Sequence, residues 1–283
     1  MEDQKKSVRI PNFIRNLVYW TERIHSNWAL KLVLYFFFKP VKFPTPDYEE
    51  PALNQAEQLT LEGPKNKTLQ LYRWGSGPQV LLTHGWSGRG TQLGLIALAL
   101  VREGFEVISF DAPSHGKSTG HKTDLLEFVD SIRRIKKAYP GIRQYVGHSM
   151  GGLASLHAAT TDDSIEKITV IGTPNKISEI IDNFCRMIKA SPDIAERIKR
   201  HIENAFGYDL EDYDSSSAIR QLGDRRGFIL HDVNDYDVAI HNAREMKYVW
   251  GDRAVYRETE GLGHRRILRD PEAIQEVVNF VKG

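Results

Sequence analysis

The stretch that most constrains this 283-residue chain is Gly147-His148-Ser149-Met150-Gly151-Gly152, with the apolar run 143–147 before it and the small-residue run 150–159 after it. A strand that turns at once into a helix leaves almost no room at the turn. Side chains at 147 and 151 would collide with neighbouring backbone, and the serine between them is held in a strained conformation with its hydroxyl presented at the sheet edge. A serine hydroxyl is a weak nucleophile near neutral pH, so the arrangement has chemical meaning only if a base stands beside it.

The spacing of apolar residues says what surrounds this turn. Thr68–Trp74, Gln79–Thr83, Glu106–Phe110, Arg143–Gly147, Lys167–Ile171, Phe228–His231 and Ala254–Glu258 read as strands. Gln92–Arg102, Leu125–Ala138, Met150–Ala159, Ile240–Met246 and Pro271–Val281 read as helices between them. Short β-rich runs alternating with helical runs predict an α/β fold, a mostly parallel sheet covered on both faces. The rhythm breaks between 175 and 222. There Ile177, Ile180, Ile181, Phe184 and Ile188 form one helical stripe, and Ile194, Ile198, Ile202 and Phe206 form another. Ser191-Pro192 opens the second and Gly207 closes it. These helices are read as a small cap (175–222) inserted between the two parts of the core (67–174 and 223–283). Residues 1–45 are read as an N-terminal amphipathic helix and 46–66 as a linker.

In a strand-turn-helix architecture of this kind the expected chain order is serine, acid, histidine. After the strand at 228 comes His231-Asp232-Val233-Asn234-Asp235-Tyr236-Asp237-Val238. Asp232 ends the strand and suits local backbone contacts. Asp237 suits the start of the next helix, where a carboxylate complements the dipole. Asp235 lies in the loop, from which it can reach a histidine, and is preferred over the other two. Of ten histidines, only His264 follows both the acid and the final strand, and Gly261 and Gly263 give its loop a sharp turn. His84 and His148 sit inside motifs in which the backbone is expected to matter more than the ring. The run Val80–Thr83 opens into His84-Gly85-Trp86. The N–H groups of Trp86 and Met150 are therefore the candidate donors to a developing oxyanion.

Taken together, residues from about 67 to 283 resemble the α/β-hydrolase superfamily. His84-Gly85-Trp86 is similar to its HGx oxyanion loop, and Gly147–Gly152 matches its GHSMGG elbow. Asp111–Ser118 resembles its D-x-P-G-x-G-x-S loop with Ser114 in place of glycine. His231–Val238 resembles H-G-x-x-D-x-x-V with Asp232 in place of glycine, an alignment that independently selects Asp235. The ending Gly261-Leu262-Gly263-His264-Arg265-Arg266-Ile267-Leu268-Arg269-Asp270-Pro271 resembles a bacterial group of unassigned substrate. The resemblance implies an eight-stranded sheet, a helical cap, and neither metal nor organic cofactor. It also implies a serine esterase acting on a small-molecule carboxylic ester or thioester, with Ser149, Asp235 and His264 as the triad. Haloalkane dehalogenases of this superfamily carry an aspartate nucleophile, and Ser149 argues against that chemistry. An acyltransferase or a cofactor-free perhydrolase would use the same triad, and a catalytically idle binding module is the third alternative. Trp86, Met150 and Arg265 are candidates for the substrate pocket. Arg265 and its neighbour Arg266 suit an acidic substrate group or, in the preferred reading, a surface ion pair or contacts to the cap.

Charge bears on partners. The formal net charge is only +1, so no global field favours nucleic acid. It is distributed unevenly, however: residues 1–42 carry +5 and the remainder −4. The N-terminal helix is therefore read in three ways: packed on its own domain, dimerising, or lying on an anionic membrane surface through residues 10–40. The run Leu32–Phe38 is much shorter than the roughly 20 residues needed to cross a bilayer. With no apolar leader and the single cysteine Cys185, which reads as buried filler, a cytoplasmic protein is expected, with peripheral contact at the inner membrane surface following only from the third of these readings.

Overall fold

The computed structural model describes residues 10–283. Before the sheet come α1 (Asn12–Ile24), α2 (Ser26–Phe37) and the short α3 (Glu50–Gln55). The core then runs β1 (Glu57–Glu62), β2 (Thr68–Trp74), β3 (Gln79–Thr83), α4 (Gly94–Arg102), β4 (Glu106–Asp111), α5 (Leu125–Ala138), β5 (Ile142–His148), α6 (Met150–Ala159) and β6 (Lys167–Ile171). Next come α7 (Ile177–Ile188), α8 (Pro192–Phe206) and α9 (Ser215–Gln221). The chain ends with β7 (Arg226–Asp232), α10 (His241–Trp250), β8 (Ala254–Thr259), the single turn α11 (Gly263–Arg266) and α12 (Pro271–Lys282).

The eight strands form one sheet in the order β1-β2-β4-β3-β5-β6-β7-β8. β2 pairs antiparallel with β1 and β4, and every other pairing is parallel. A parallel sheet must be covered on both faces. One face packs Phe128, Ile132, Leu156 and Met246 from α5, α6 and α10 against Leu81, Ile108 and Ile229. The other packs Ile96, Leu100, Val277 and Val281 from α4 and α12 against Val80, Leu82 and Val146. Because the β3, β5, β6 and β7 strands run the same way, the loops that follow them open at one edge, where a ligand crevice is expected.

Three expectations change. Residues 46–66 are not a plain linker: α3 buries Ala52 against Gly94, and Glu57–Glu62 forms the edge strand β1. Only Leu59 and Leu61 of that strand face inward, and only in part, so its apolar signal is weak. The N-terminal segment is two helices rather than one, broken where His25 is extended at φ −156° and ψ 98°; the part of that reading that falls on residues 1–9 lies outside the described residues. Of the apolar residues at helical spacing in this segment, Ile14, Val18 and Leu32 pack inward while Leu17, Ile24, Trp28 and Tyr35 are exposed. The break lets the two helices present different faces. Finally, α9 is not cap: Ala218, Ile219 and Leu222 pack into the sheet-side core against α6 and α10.

The helices α7 and α8 form a third apolar cluster with the N-terminal pair: Val18, Ala29 and Val33 meet Ile181, Cys185, Ile188, Ile194 and Ile198. Burial pushes the Cys185 thiol up to about 11, in keeping with an inert core residue.

Candidate active site

At the end of β5 the chain reverses into α6 through Ser149, which has φ 53° and ψ −124°. This backbone is left-handed and costs a non-glycine residue on the order of 1–3 kcal/mol, which the surrounding structure must supply. The restraints are visible. The Ser149 N–H donates to the Ile171 carbonyl at 2.9 Å. A Cβ on Gly147 would lie 2.5 Å from the Gly151 oxygen, and one on Gly151 would lie 2.2 Å from the Thr83 oxygen. Gly151→Ala is therefore expected to lower unfolding stability by about 1–3 kcal/mol or more, since the clash is with backbone that cannot rotate away. Urea unfolding followed by circular dichroism measures this, and an unchanged midpoint would contradict the close packing of the turn.

Asp235 and His264 meet. The Nδ1–H of His264 donates to Asp235 Oδ2 at 2.7 Å, and the Asp235 Oδ1 accepts the N–H groups of Asp237 at 2.9 Å and Val238 at 2.8 Å. Both carboxylate oxygens are thus held, and the side chain is almost wholly buried. Burial opposes the charge. The hydrogen bond from His264, the His264 charge and the Val238 N–H outweigh it, and the carboxyl stays below its ordinary value. The other two aspartates have different partners. Asp232 accepts from the Asn234 N–H at 2.9 Å and the Leu262 N–H at 2.9 Å, and from the Thr259 hydroxyl at 2.8 Å. It thereby fastens the acid loop to the loop that carries the histidine. Asp237 precedes α10 by several residues and pairs with Arg265 at 3.5 Å.

Two supporting residues escaped the sequence reading. Gly172, at φ 53° after β6, leaves room for the Asp235–His264 contact, because a Cβ there would lie 3.2 Å from His264 Nδ1 and 3.3 Å from Asp235 Oδ2. A glycine directly after an apolar strand was its only signal. His148 is the other. Its ring, expected to be incidental, donates from Nε2 to the His264 carbonyl at 2.9 Å and lies 4.6 Å from the His264 ring. Burial, then the neighbouring His264, pushes its pKa well below the ordinary histidine value, so the ring is neutral. The His84 ring also bonds, accepting the Ala112 N–H at 2.9 Å and donating to the Gly85 carbonyl at 2.7 Å.

The loop after β3 completes the arrangement. A Cβ on Gly85 would lie 2.8 Å from Ser149 Cβ, so only glycine lets this loop approach the serine. Among the described residues the N–H groups of Trp86 and Met150 have no backbone acceptor. Asp111 braces the region from below: its carboxylate accepts the Gly90 and Lys117 N–H groups, each at 2.7 Å, and the Tyr72 hydroxyl at 3.1 Å. Ser114, which replaces a glycine of the family pattern, adopts φ 67° all the same and anchors its hydroxyl on the Lys122 carbonyl at 2.7 Å.

Ser149, His264, Trp86, Met150 and Arg265 all line one cavity of about 1300 Å³. Arg266 does not: it donates to the Leu262 and Gly261 carbonyls and holds its own loop. Residues 78–234, more than half of the chain, match the family model described as the alpha/beta hydrolase fold. This chain is a member of that family. Its similarity to known proteins runs the same way. It is 31% identical over 139 residues to the pimeloyl-[acyl-carrier protein] methyl ester esterase of Stenotrophomonas maltophilia, covering 48% of this chain and 51% of that one. It is 35% identical over 83 residues to a non-heme haloperoxidase of Rhodococcus erythropolis, covering 28% and 30%. The chain thus spans about half the length of the first and under a third of the second. A solved esterase of Pyrococcus furiosus superposes with a TM-score of 0.65 at 17% identity, over 86% of this α/β-hydrolase and 96% of that chain. That likeness is one of fold.

Proposed function

We propose that this α/β-hydrolase cleaves a carboxylic ester or thioester through an acyl-enzyme on Ser149. The observation that carries the reading is a strained serine and a buried Asp–His pair opening on one cavity. Ser149 Oγ attacks the acyl carbonyl while His264 Nε2 takes its proton. Asp235 holds the opposite nitrogen as the donor, fixing the tautomer and stabilising the imidazolium. The N–H groups of Trp86 and Met150 receive the oxyanion. His264 then gives the proton to the leaving alcohol or thiol. Water, deprotonated by the same ring, attacks the acyl-enzyme and releases the acid. The test is incubation with a fluorophosphonate probe and a p-nitrophenyl butyrate assay, wild type beside Ser149→Ala. Labelling and turnover should both vanish in the variant. A folded wild-type protein that does neither would leave the fold as a binding module.

The similarity to a haloperoxidase supports a second reading, in which peroxide or an alcohol replaces water as acyl acceptor. Product analysis with each acceptor in competition separates them, and the acid should dominate.

The N-terminal pair supports a peripheral membrane contact. No described helix is long and apolar enough to cross a membrane. The outer side of α1 and α2 nevertheless exposes Trp20 at 60%, Ile24 at 78% and Trp28 at 62%. Residues 10–43 carry five Lys or Arg and a single acid, Glu22, which is turned inward to accept the Ser191 N–H at 3.2 Å. Aromatic residues beside cations suit an anionic lipid surface. Full-length protein should float with phosphatidylcholine vesicles only when phosphatidylglycerol is present, should detach as salt rises, and should lose binding in Trp20→Glu/Trp28→Glu. Equal binding to neutral vesicles, or a variant that instead dissociates a dimer, would remove the reading.

A further inference from the structure

The cavity is larger than the chemistry at Ser149 requires. At about 1300 Å³ it exceeds the roughly 300–1,000 Å³ of an ordinary small-molecule site. One side of it is the strand-end loops with Ser149 and His264. Much of its remaining wall is apolar and comes from four helices outside the sheet: Ile14 and Phe37 from α1 and α2, Ile180, Phe184 and Ile188 from α7, and Phe206 from α8. Phe37 and Phe184 meet edge to face at 5.3 Å across the two pairs.

The helix pair at the N-terminus is a fixed part of this wall. The segment after α2 is tied to the core loops at several points, among them the Lys42 ammonium on the Gly116 and Ser118 carbonyls at 2.8 and 3.1 Å. The Val41 N–H donates to the Ser87 hydroxyl at 3.0 Å, beside the candidate oxyanion loop. Arg89 donates to the Pro44 carbonyl at 2.8 Å, and the Thr123 N–H donates to the Phe38 carbonyl at 2.9 Å. The charged residues that line the cavity balance, with Lys39, Arg89, Arg186 and Arg265 against Glu49, Asp124, Glu179 and Asp237. Two of these cations are within ion-pair distance of two of the anions, Arg89–Glu49 at 3.7 Å and Arg265–Asp237 at 3.5 Å. The formal charges of the lining thus cancel, whereas its apolar residues offer a long apolar chain a wall matched to it.

We propose that this cavity is an acyl-chain site and that the substrate is an ester of a long-chain carboxylic acid. Its carbonyl lies at Ser149 and its chain lies between the N-terminal pair and the helices α7 and α8. The placement of the carbonyl rests on the Ser149 reading above; the chain site itself does not. Each methylene buried in such a wall is expected to raise kcat/KM about threefold to fourfold until the site is filled.

The experiment has two arms. In the first, kcat/KM is measured for p-nitrophenyl esters from acetate to dodecanoate with the full-length protein. It should climb with chain length, and the dodecanoate-to-butyrate ratio should fall at least tenfold in Ile180→Trp, with Ile14→Trp as an independent obstruction from α1. In the second, full-length Ser149→Ala is titrated with dodecanoate by calorimetry, and either tryptophan variant placed on that background should weaken binding at least tenfold. Highest activity on acetate, together with no dodecanoate binding, would overturn the acyl site while leaving the serine reading intact. Dodecanoate binding by a protein that hydrolyses no ester would do the reverse. Ratios and affinities unchanged in both folded variants would also overturn the site.

Discussion

Replacing Ser149 by alanine is expected to lower kcat on p-nitrophenyl butyrate by about four to six orders of magnitude, to the residue supplied by oxyanion donors and binding alone. The reason is that the site has one hydroxyl in the strained turn. Gly85 approaches Ser149 so closely that a Cβ on it would lie 2.8 Å from the serine Cβ, so the candidate oxyanion loop stands directly beside that hydroxyl. The variant should keep its fold, because the side chain removed is small and the turn is held by the Ser149 N–H on the Ile171 carbonyl, which alanine retains. Steady-state kinetics with an unfolding curve on the same preparation measure both quantities. A loss below tenfold in a folded variant would mean that turnover does not pass through an acyl-serine.

Asp235→Asn is expected to cost about 10³–10⁴-fold in kcat, and the structure predicts how. Oδ1 of Asp235 already accepts two backbone N–H groups, from Asp237 and Val238. An asparagine must keep its carbonyl oxygen on those donors, which turns its amide N–H toward His264 Nδ1. The imidazole is then forced to carry its proton on Nε2, the wrong tautomer to take one from Ser149. Asp235→Ala, which imposes no tautomer, should therefore be no worse than the asparagine. Activity in Asp235→Asn within tenfold of wild type would sink this role, and Asp232→Asn and Asp237→Asn are the comparisons.

The same pair carries a pH signature in stability. The folded-state pKa of Asp235 is depressed, so its contribution is fully present above the unfolded carboxyl value and is lost as pH falls through the folded one. Wild type should lose stability over that acidic window, and Asp235→Asn should lose less of it. Urea midpoints across the carboxylate range record the difference.

The parts of this molecule that are legible in its sequence are those set by near neighbours in the chain. Gly147 and Ser149 announce the strained turn because the clashes that Gly147 avoids, with Gly151 and Gly152, arise within the turn itself, whereas the clash that Gly151 avoids is with the Thr83 carbonyl at the end of β3, across the sheet. The alternation of strand and helix gave seven strands and both sheet faces because each element carries its own apolar period. Once the elements were placed, chain order singled out His264 as the candidate base, and loop position together with the family pattern singled out Asp235 as the candidate acid. What the tertiary structure decided involves residues far apart. The edge strand β1 is the exception, a near neighbour that pairs with β2 across the Gly63–Lys67 turn and is hidden because only Leu59 and Leu61 of it face inward. His148 holds a carbonyl 116 residues away, and Gly172 matters only because two side chains from other loops meet above it. The N-terminal helices show the limit most clearly. Their apolar residues point in two directions, and periodicity counts such residues without saying which of them faces α7 and α8 and which faces solvent. That assignment, and with it the wall of the cavity, follows from the packing of Val18, Ala29 and Val33 against helices formed far along the chain, a contact that local spacing does not encode.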